Sequence, residues 1–287
     1  MIKILFLILN YKTYTDTIKV AKELLQTDRT DFKILIVDNA SPNESYTELS
    51  RTFSGNPLVD VIASPVNGGY AKGNNFGLRY AKKYNPEYAC IMNNDVHFSW
   101  YTINRLLDIY PKLDNPALVT PIQYLPGNII APLLTLDIPN FLTDLRLYSL
   151  LFRNKTHRYI SNTQYENVQK IGLVPGAFMV ANYKTLERIG FFNESTFLFC
   201  EERFLAKEIA LRGYNNYVIL DLGYVHEHSK TINSEASIKR QQDLMFDGRQ
   251  LYIKKYGVCP KLEIFILRIV RMIYSIEIKI LSFVKRV

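Results

Sequence analysis

Two adjacent carboxylates, Glu201-Glu202, and four short polar clusters hold the groups of this sequence best suited to chemistry. The clusters are Asn10-Tyr11, Asp38-Asn39, Asn67-Gly68-Gly69 and Asn93-Asn94-Asp95, each following a short apolar run. Amides and carboxylates bind hydroxyls and base edges, so four such clusters in one crevice suit a ligand rich in both. A carboxylate can also take the proton from an attacking hydroxyl, and carboxylate or imidazole can hold a divalent cation. Of the four histidines, His97 and His157 stand apart, whereas His226 and His228 follow an apolar run at 217–225. Cys90, Cys200 and Cys259 lie far apart, with no CxxC spacing, and an odd number cannot all pair internally. A reduced, cytosolic compartment is the simplest expectation. The run Gly68 to Asn74 fits neither phosphate-loop pattern, which argues against a dehydrogenase or a P-loop NTPase. It still offers Lys72 as a charge for a phosphate at a helix start.

In open α/β sheets, ligands bind beyond the carboxyl ends of the strands. The first 125 residues alternate apolar runs with amphipathic stretches, the pattern of a parallel sheet wound with helices. Strands are expected at Ile2–Leu9, Phe32–Val37, Val59–Ala63, Tyr88–Met92 and Leu118–Ile122. Helices are expected at Asp16–Leu25, Glu44–Phe53, Ala71–Tyr84 and Tyr101–Tyr110. Residues 123–170 lose the alternation to Pro126-Gly127-Asn128, Pro132 and Pro139, and are expected to be an inserted, partly helical segment. Order returns at Ile171–Val180, followed by a helix from Glu201 to Arg212 that Gly213 ends, and a strand at Tyr217–Leu220.

Taken in order, these residues carry a resemblance. Asn10-Tyr11, Val37-Asp38-Asn39-Ala40-Ser41, the run Asn67-x-Gly69-x-x-x-Gly73-Asn74-Asn75-x-Gly77, and Asn93-Asn94-Asp95-Val96 are similar to the family 2 inverting glycosyltransferases, especially their rhamnosyltransferase-like branch. Pro175-Gly176-Ala177-Phe178-Met179-Val180, Gly190-Phe191-Phe192-Asn193-Glu194, Phe197-Leu198-Phe199-Cys200-Glu201-Glu202, Gly213-Tyr214 and Val225-His226 continue it to about residue 230. The resemblance implies a GT-A fold, a mixed Rossmann-like sheet flanked by helices, and a nucleoside diphosphate sugar donor with Mg²⁺ or Mn²⁺. It gives Asp38 the nucleotide base, with Asn10, Tyr11, Asn39, Asn67, Gly69, Lys72, Asn75, Asn93, Asn94, Gly176 and Ala177 around the donor. Asn93-Asn94-Asp95 stands in the place of the family's D-x-D signature, leaving Asp95 as the metal carboxylate. His226 corresponds to the family histidine near the diphosphate, and His228 is the alternative. Glu201-Glu202 stands where the family has Glu-Asp, which makes Glu202 the base and Glu201 its neighbour.

The implied reaction moves one sugar, L-rhamnose from its deoxythymidine diphosphate donor, to a bacterial surface polysaccharide or a lipid-linked oligosaccharide. Alternatives are another hexose or galactofuranose donor, or a subunit that binds nucleotide sugar without turnover. The expected division is a glycosyltransferase domain at 1–230, with a nucleotide-binding half at 1–125 and an acceptor half at 126–230, and a helical extension at 231–287. The net charge is +8, and residues 261–287 carry half of it, with six Lys/Arg against two Glu. There, Lys261, Arg268, Arg271, Ser275, Lys279, Ser282 and Arg286 form a narrow polar stripe on an otherwise apolar helix. Charges interrupt every long apolar run, so the segment is expected to lie on a membrane, at the inner face of the cell membrane, or to pack on a second subunit. Large aliphatic residues separate these charges, and no DNA- or RNA-binding motif accompanies them, so no nucleic-acid partner is expected.

Overall fold

The chain opens β1 (Ile4–Asn10), α1 (Tyr14–Leu24), β2 (Phe32–Asp38), α2 (Ser45–Thr52), β3 (Val59–Ala63), α3 (Gly69–Ala81) and β4 (Tyr88–Asn93). β1 is apolar up to its last residue and β2 is so apart from Lys33, which pairs with Asp60 of the neighbouring strand, and both are buried on both faces of the pleat. Strands buried on both faces belong inside a parallel sheet. In the computed structural model, β1 pairs in parallel with β2 on one side and with β4 on the other. The structure describes residues 2–127, 129–131, 137–147, 167–227 and 235–284.

The second half contributes β5 (Val96–His97), α4 (Trp100–Ile109), β6 (Pro116–Leu125), β7 (Ile129–Ile130), α5 (Phe141–Leu147), β8 (Val168–Ile171) and β9 (Phe178–Asn182). It continues with α6 (Tyr183–Ile189), α7 (Glu201–Leu211), β10 (Asn215–His226), α8 (Glu235–Tyr256) and α9 (Pro260–Val284). The sheet order is β3-β2-β1-β4-β9-β6-β10-β5, with β7 on β6 and β8 on β10. The sheet is parallel from β3 to β4, and β9 then runs antiparallel to both β4 and β6. From β1 the chain winds outward to β3, and α3 returns it to the other side of β1 as β4. That reversal leaves a crevice at the carboxyl ends of β1 and β4. Register aligns the crevice residues, with Asn10 beside Asp38 and Leu9 beside Asn93.

Alternation along β1 and β2 sorts the core into two layers. Ile4, Phe6, Ile8, Ile34 and Ile36 pack with Val20, Ala21 and Leu24 of α1. Leu5, Leu7, Leu35 and Val37 pack with Ala71, Leu78 and Ala81 of α3. α3 lies close to the sheet because Gly73 sits against Leu9 and Gly77 against Leu7 and Val37, where a methyl group would collide.

Several expected boundaries move. The order expected to return at Ile171–Val180 takes the form of two strands, β8 and β9, which pair with different strands. β10 runs to His226, well beyond the expected Leu220, because it bulges between Ile219 and Gly223 and then resumes its pairing with β6. α6 and β5 were not foreseen. Of the expected insertion at 123–170, residues 128, 132–136 and 148–166 lie outside the described residues, as do His157 and His228.

The tail forms α9, and Leu267 is buried against Phe246 and Ile253 of α8, with Ile264, Phe141 and Leu145 beside them. Leu262, Phe265, Ile269, Met272, Ile273 and Ile276 are exposed. At 100° per residue they form one row on the side opposite Leu267. Lys285 and Arg286 lie outside the described residues, and the side chain of Lys279 is not described. Among the described residues, no helix is long and apolar enough to cross a membrane.

Candidate active site

Four groups of side chains meet at the crevice. In the first, the buried Asn10 donates from Nδ2 to Asp38 Oδ1 at 2.7 Å, while its Oδ1 accepts from the Thr17 hydroxyl at 2.8 Å. Ser41 closes on the same carboxylate through its hydroxyl at 2.7 Å and its backbone N–H at 3.0 Å. The turn after β2 thus fixes Asp38 by a side-chain-to-backbone bond three residues on. Asn10 orients Asp38 rather than offering its own amide to a ligand, since both ends of that amide are bonded inside the protein. Tyr11, the next residue, is exposed, with the Lys12 ammonium 5.0 Å from its ring centre.

In the second group, Asn39 Nδ2 donates to Asn67 Oδ1 at 3.0 Å and to the Gly69 carbonyl at 3.2 Å. Its Oδ1 is buried and has no hydrogen-bond partner among the described residues. Gly69 has φ +85°, and the space its side chain would fill is taken by the main chain of Phe197. The Tyr70 N–H donates to the Phe197 carbonyl at 3.0 Å. The glycine therefore seats the loop leading into α7. Lys72 is exposed, its aliphatic part lying over Gly68. Asn75 corrects the expectation that it faces the donor: its Nδ2 donates to the Phe192 carbonyl and to Glu194, and its Oδ1 accepts from the Phe192 N–H. It is buried and clamps the 192–194 turn onto α3.

The third group joins β4 to β10. β5 pairs antiparallel with β10, setting Val96 opposite His226, so Asp95 comes beside that histidine. His226 Nε2 lies 3.1 Å from Asp95 Oδ1 and 3.4 Å from Asn93 Nδ2. Behind the ring, Gln123 Nε2 is 3.2 Å from His226 Nδ1, and the Tyr224 hydroxyl donates to Gln123 Oε1 at 2.9 Å. This buried backing fixes the ring plane, the Gln123 amide donating to Nδ1 while Nε2 faces Asp95. Asn94 points elsewhere: its Nδ2 reaches Thr13 Oγ1 at 2.7 Å and Thr17 Oγ1 at 2.8 Å, tying the end of β4 to the start of α1. The amide nitrogen of Asn94 is thereby taken up inside the protein. Among the described residues, no group of three or more His, Cys, Asp or Glu gathers around a point. The Asp95–His226 pair nevertheless fits a cation whose remaining ligands are waters and phosphate oxygens, the usual coordination of Mg²⁺ in phosphate chemistry.

The fourth group is the start of α7. Phe199 and Cys200 both have positive φ, 71° and 70°, before the helix begins at Glu201. Such conformations cost on the order of 1–3 kcal/mol each and persist only where the surroundings impose them. Glu202 is partly buried against Gly176, where a Cβ would collide with its Oε1. The Tyr70 hydroxyl donates to the Gly176 carbonyl at 2.6 Å, and the Asn93 N–H donates to the Ala177 carbonyl at 2.9 Å. Gly176-Ala177 therefore bridges the Asp95–His226 pair and Glu202. Burial raises the pKa of Glu202, and backbone N–H groups of Glu202 and Gly176 pull it back down. Glu201 is more deeply buried, and its Oε1 has no hydrogen-bond partner among the described residues. Burial, and then the charge of Glu202, push Glu201 up to about 8.

Sequence reasoning missed Thr17, Ser41, Tyr70, Gln123 and Tyr224. Ser41 had a signal, standing three residues after a strand-end aspartate. Tyr224 stands two residues before His226 on β10, and the pairing of β6 with β10 sets Gln123 opposite Tyr224 and so beside the histidine.

A mixed sheet with its polar strand ends gathered at one crevice is the GT-A glycosyltransferase fold, and known proteins agree. Residues 7–157 match the family described as Glycosyl transferase family 2. The chain belongs to that family. The low-salt glycan biosynthesis hexosyltransferase Agl10 of Haloferax volcanii is 26% identical over 197 residues, 68% of this chain and 58% of that protein, so the chain spans under two thirds of its length. GalNAc-T7, solved with UDP, GalNAc and Mn²⁺, superposes with a TM-score of 0.67 at 11% identity, covering 91% of this chain and 49% of that one. The mannosyltransferase PcManGT of Pyrobaculum calidifontis, solved with GDP-Man and Mn²⁺, gives 0.60 at 14% identity, covering 93% and 73%. TarS of S. aureus, residues 1–349, gives 0.55 at 12% identity, covering 92% and 69%. At these identities the three structures share the fold with this chain.

Proposed function

We propose that this protein transfers one sugar from a nucleoside diphosphate donor to an acceptor hydroxyl with inversion, and that Glu202 is the base. The observation that carries this reading is the placement of the Glu202 carboxylate against Gly176, one residue from the Ala177 carbonyl that bonds Asn93 beside Asp95 and His226. The nucleotide lies over Asp38 and Tyr11, the diphosphate near Asp95, His226 and Lys72, and the anomeric carbon between these and Glu202. Asp38 is held as an acceptor by Asn10 and Ser41, and its carboxylate has four acceptor sites, so one is left for a base N–H. Asn39, through its unpartnered buried oxygen, accepts from a further donor hydroxyl. Asp95 and His226 hold the divalent cation. When bound, that ion neutralises charge developing on the leaving diphosphate. Glu202 accepts the acceptor's proton as the hydroxyl attacks, the Gly176 N–H keeping its carboxylate in place. Glu201, protonated at neutral pH by its raised pKa, spares the site a second charge.

The donor we favour is dTDP-L-rhamnose, on the strength of the motif resemblance. A second reading keeps the enzyme and changes the sugar to another hexose, and the hexosyltransferase name of the Haloferax relative favours it. The acceptor class is a glycan, free or on a lipid carrier, and the exposed row on α9 attaches the enzyme to an anionic membrane surface. The test screens dTDP-rhamnose and other nucleotide hexoses for transfer by the wild-type protein and by Glu202→Gln. Glu202→Gln should lose roughly 10²-fold or more in turnover while its donor affinity stays nearly unchanged. Unchanged turnover would remove Glu202 from the role of base. Donor binding without turnover in the wild-type protein would make it a nucleotide-sugar-binding subunit.

A further inference from the structure

The residue after the two glutamates, Arg203, is buried, and its guanidinium grips a carboxylate from a distant part of the chain. Its two terminal nitrogens donate to the two oxygens of Asp144 at 2.8 and 3.0 Å, and one of them also donates to the Pro139 carbonyl at 3.1 Å. Arg249 Nε lies 3.1 Å from Asp144 Oδ1. Exposure is 0% at Asp144, 6% at Arg203 and 8% at Arg249, so the cluster is shielded from bulk solvent. Asp144 belongs to α5, Arg203 to α7 and Arg249 to α8. Three helices separated in sequence thus meet at one carboxylate, one residue from the proposed base.

Around this point, α7 and α8 run side by side in the same direction. Gly248 meets Cys200, where an added Cβ would stand 3.0 Å from both Cβ and Sγ; Phe204 packs edge-on to Tyr252, and Glu208 accepts from Tyr256. Each step advances both helices by four residues, one turn. The Arg203 guanidinium also lies 4.5 Å from the Tyr252 ring centre. Buried ion pairs add little net stability over apolar packing, because desolvation offsets the attraction. A two-bonded arginine fork does, however, fix distance and angle.

We propose that Asp144, with Arg203 and Arg249, is a positioning residue that holds the strained 199–200 turn and the base-bearing end of α7 in working geometry. This rests on Glu202 being the base. The C-terminal helices are therefore part of the active site's framework. No atom of the triad is required to touch donor or acceptor.

Cys200, in the turn, and Cys90, in β4, are both buried, whereas Cys259 is exposed. In a Cys259→Ser background, labelling of the full-length protein with a neutral thiol reagent reports opening of the turn at Cys200 and global unfolding at Cys90. Asp144→Asn should speed Cys200 labelling at least about tenfold with Cys90 unchanged, the signature of local opening. It should also lower kcat at least about tenfold with donor affinity unchanged, as displaced catalytic groups do. Arg203→Lys, which keeps the charge but loses the fork, should do the same more weakly and serves if Asp144→Asn does not fold. Equal acceleration at both cysteines would mean a role in global stability only and overturn the proposal, as would unchanged labelling or an opened turn with unchanged kcat. The labelling arm needs no turnover, so failure of the proposed function leaves it readable.

Discussion

At the residue scale, the two adjacent glutamates at the start of α7 are both buried enough that burial raises their pKa, and the charge of one raises the other further. Glu201 has a folded pKa near 8, far above its value in an unfolded chain, so the folded state keeps a proton the unfolded chain releases. The stability this proton confers is complete below the unfolded pKa and falls as pH rises through the folded one, roughly from pH 4.5 to 8. Glu201→Gln removes the loss, so it should raise Tm at pH 8 by several degrees and change it little at pH 5. Thermal unfolding at the two pH values checks this, and an equal shift at both would mean that Glu201 is not protonated at neutral pH. Asp95 carries the corresponding argument for the cation, because Asn93 and Asn94 bear no charge. Calorimetry with donor, with and without Mn²⁺, should show Asp95→Ala losing the metal-dependent gain in affinity. The residue types at the strand ends were legible because each follows an apolar run, but the direction each side chain takes was not. Asn75 and Asn94 look in sequence like donor contacts, yet Phe192 takes up both ends of the Asn75 amide, and Thr13 and Thr17 take up the amide nitrogen of Asn94. An amide serves a turn as readily as a ligand, and only the packing decides which.

At the element scale, β1 to β4 were legible to within about two residues, because β1, β2 and β4 are largely apolar runs ended by a polar residue, and β3, though half-exposed with Asp60 inside it, is rich in β-branched residues. β5 was not, since two residues carry no periodicity. α6 was missed because its seven residues lie between motifs that drew attention to loops. The glycines of α3 were legible as a pattern but not as packing surfaces. Gly69 separates two effects: its positive φ resists a side chain, and the Phe197 main chain occupies the place of a Cβ. Gly55 shares the positive φ, 74°, with nothing within 4 Å. Gly55→Ala should therefore cost on the order of 1 kcal/mol, whereas Gly69→Ala should cost about 3 kcal/mol or more and displace the turn before α7. Denaturant unfolding of the two variants measures the difference. Equal costs would mean that the 197 loop yields freely.

At the scale of the whole molecule, α9 presents one apolar row to the core around Leu267 and another, from Leu262 to Ile276, to solvent. Lys261 and Arg268 flank the outer row, where basic groups near an anionic bilayer contribute about 1 kcal/mol each. Phe265→Glu with Met272→Glu should abolish flotation with anionic liposomes and leave transfer to a soluble acceptor unchanged, because neither residue touches the site. If the intact protein ignores liposomes and the double variant instead shifts the solution mass from dimer to monomer, the row is a subunit contact. A different whole-molecule property follows from the small pairing of β5 with β10. It joins Asp95 to His226, so closing it requires that most of the chain between them already be in place. Loop closure of that length is entropically slow, and contacts between sequence-distant residues form late. During refolding from denaturant, far-UV dichroism should therefore recover before Mn²⁺-dependent donor binding does. On the proposed function, a nascent or partly folded chain would carry most of its sheet before the Asp95–His226 pair has formed, so the order of assembly alone would delay capture of the donor.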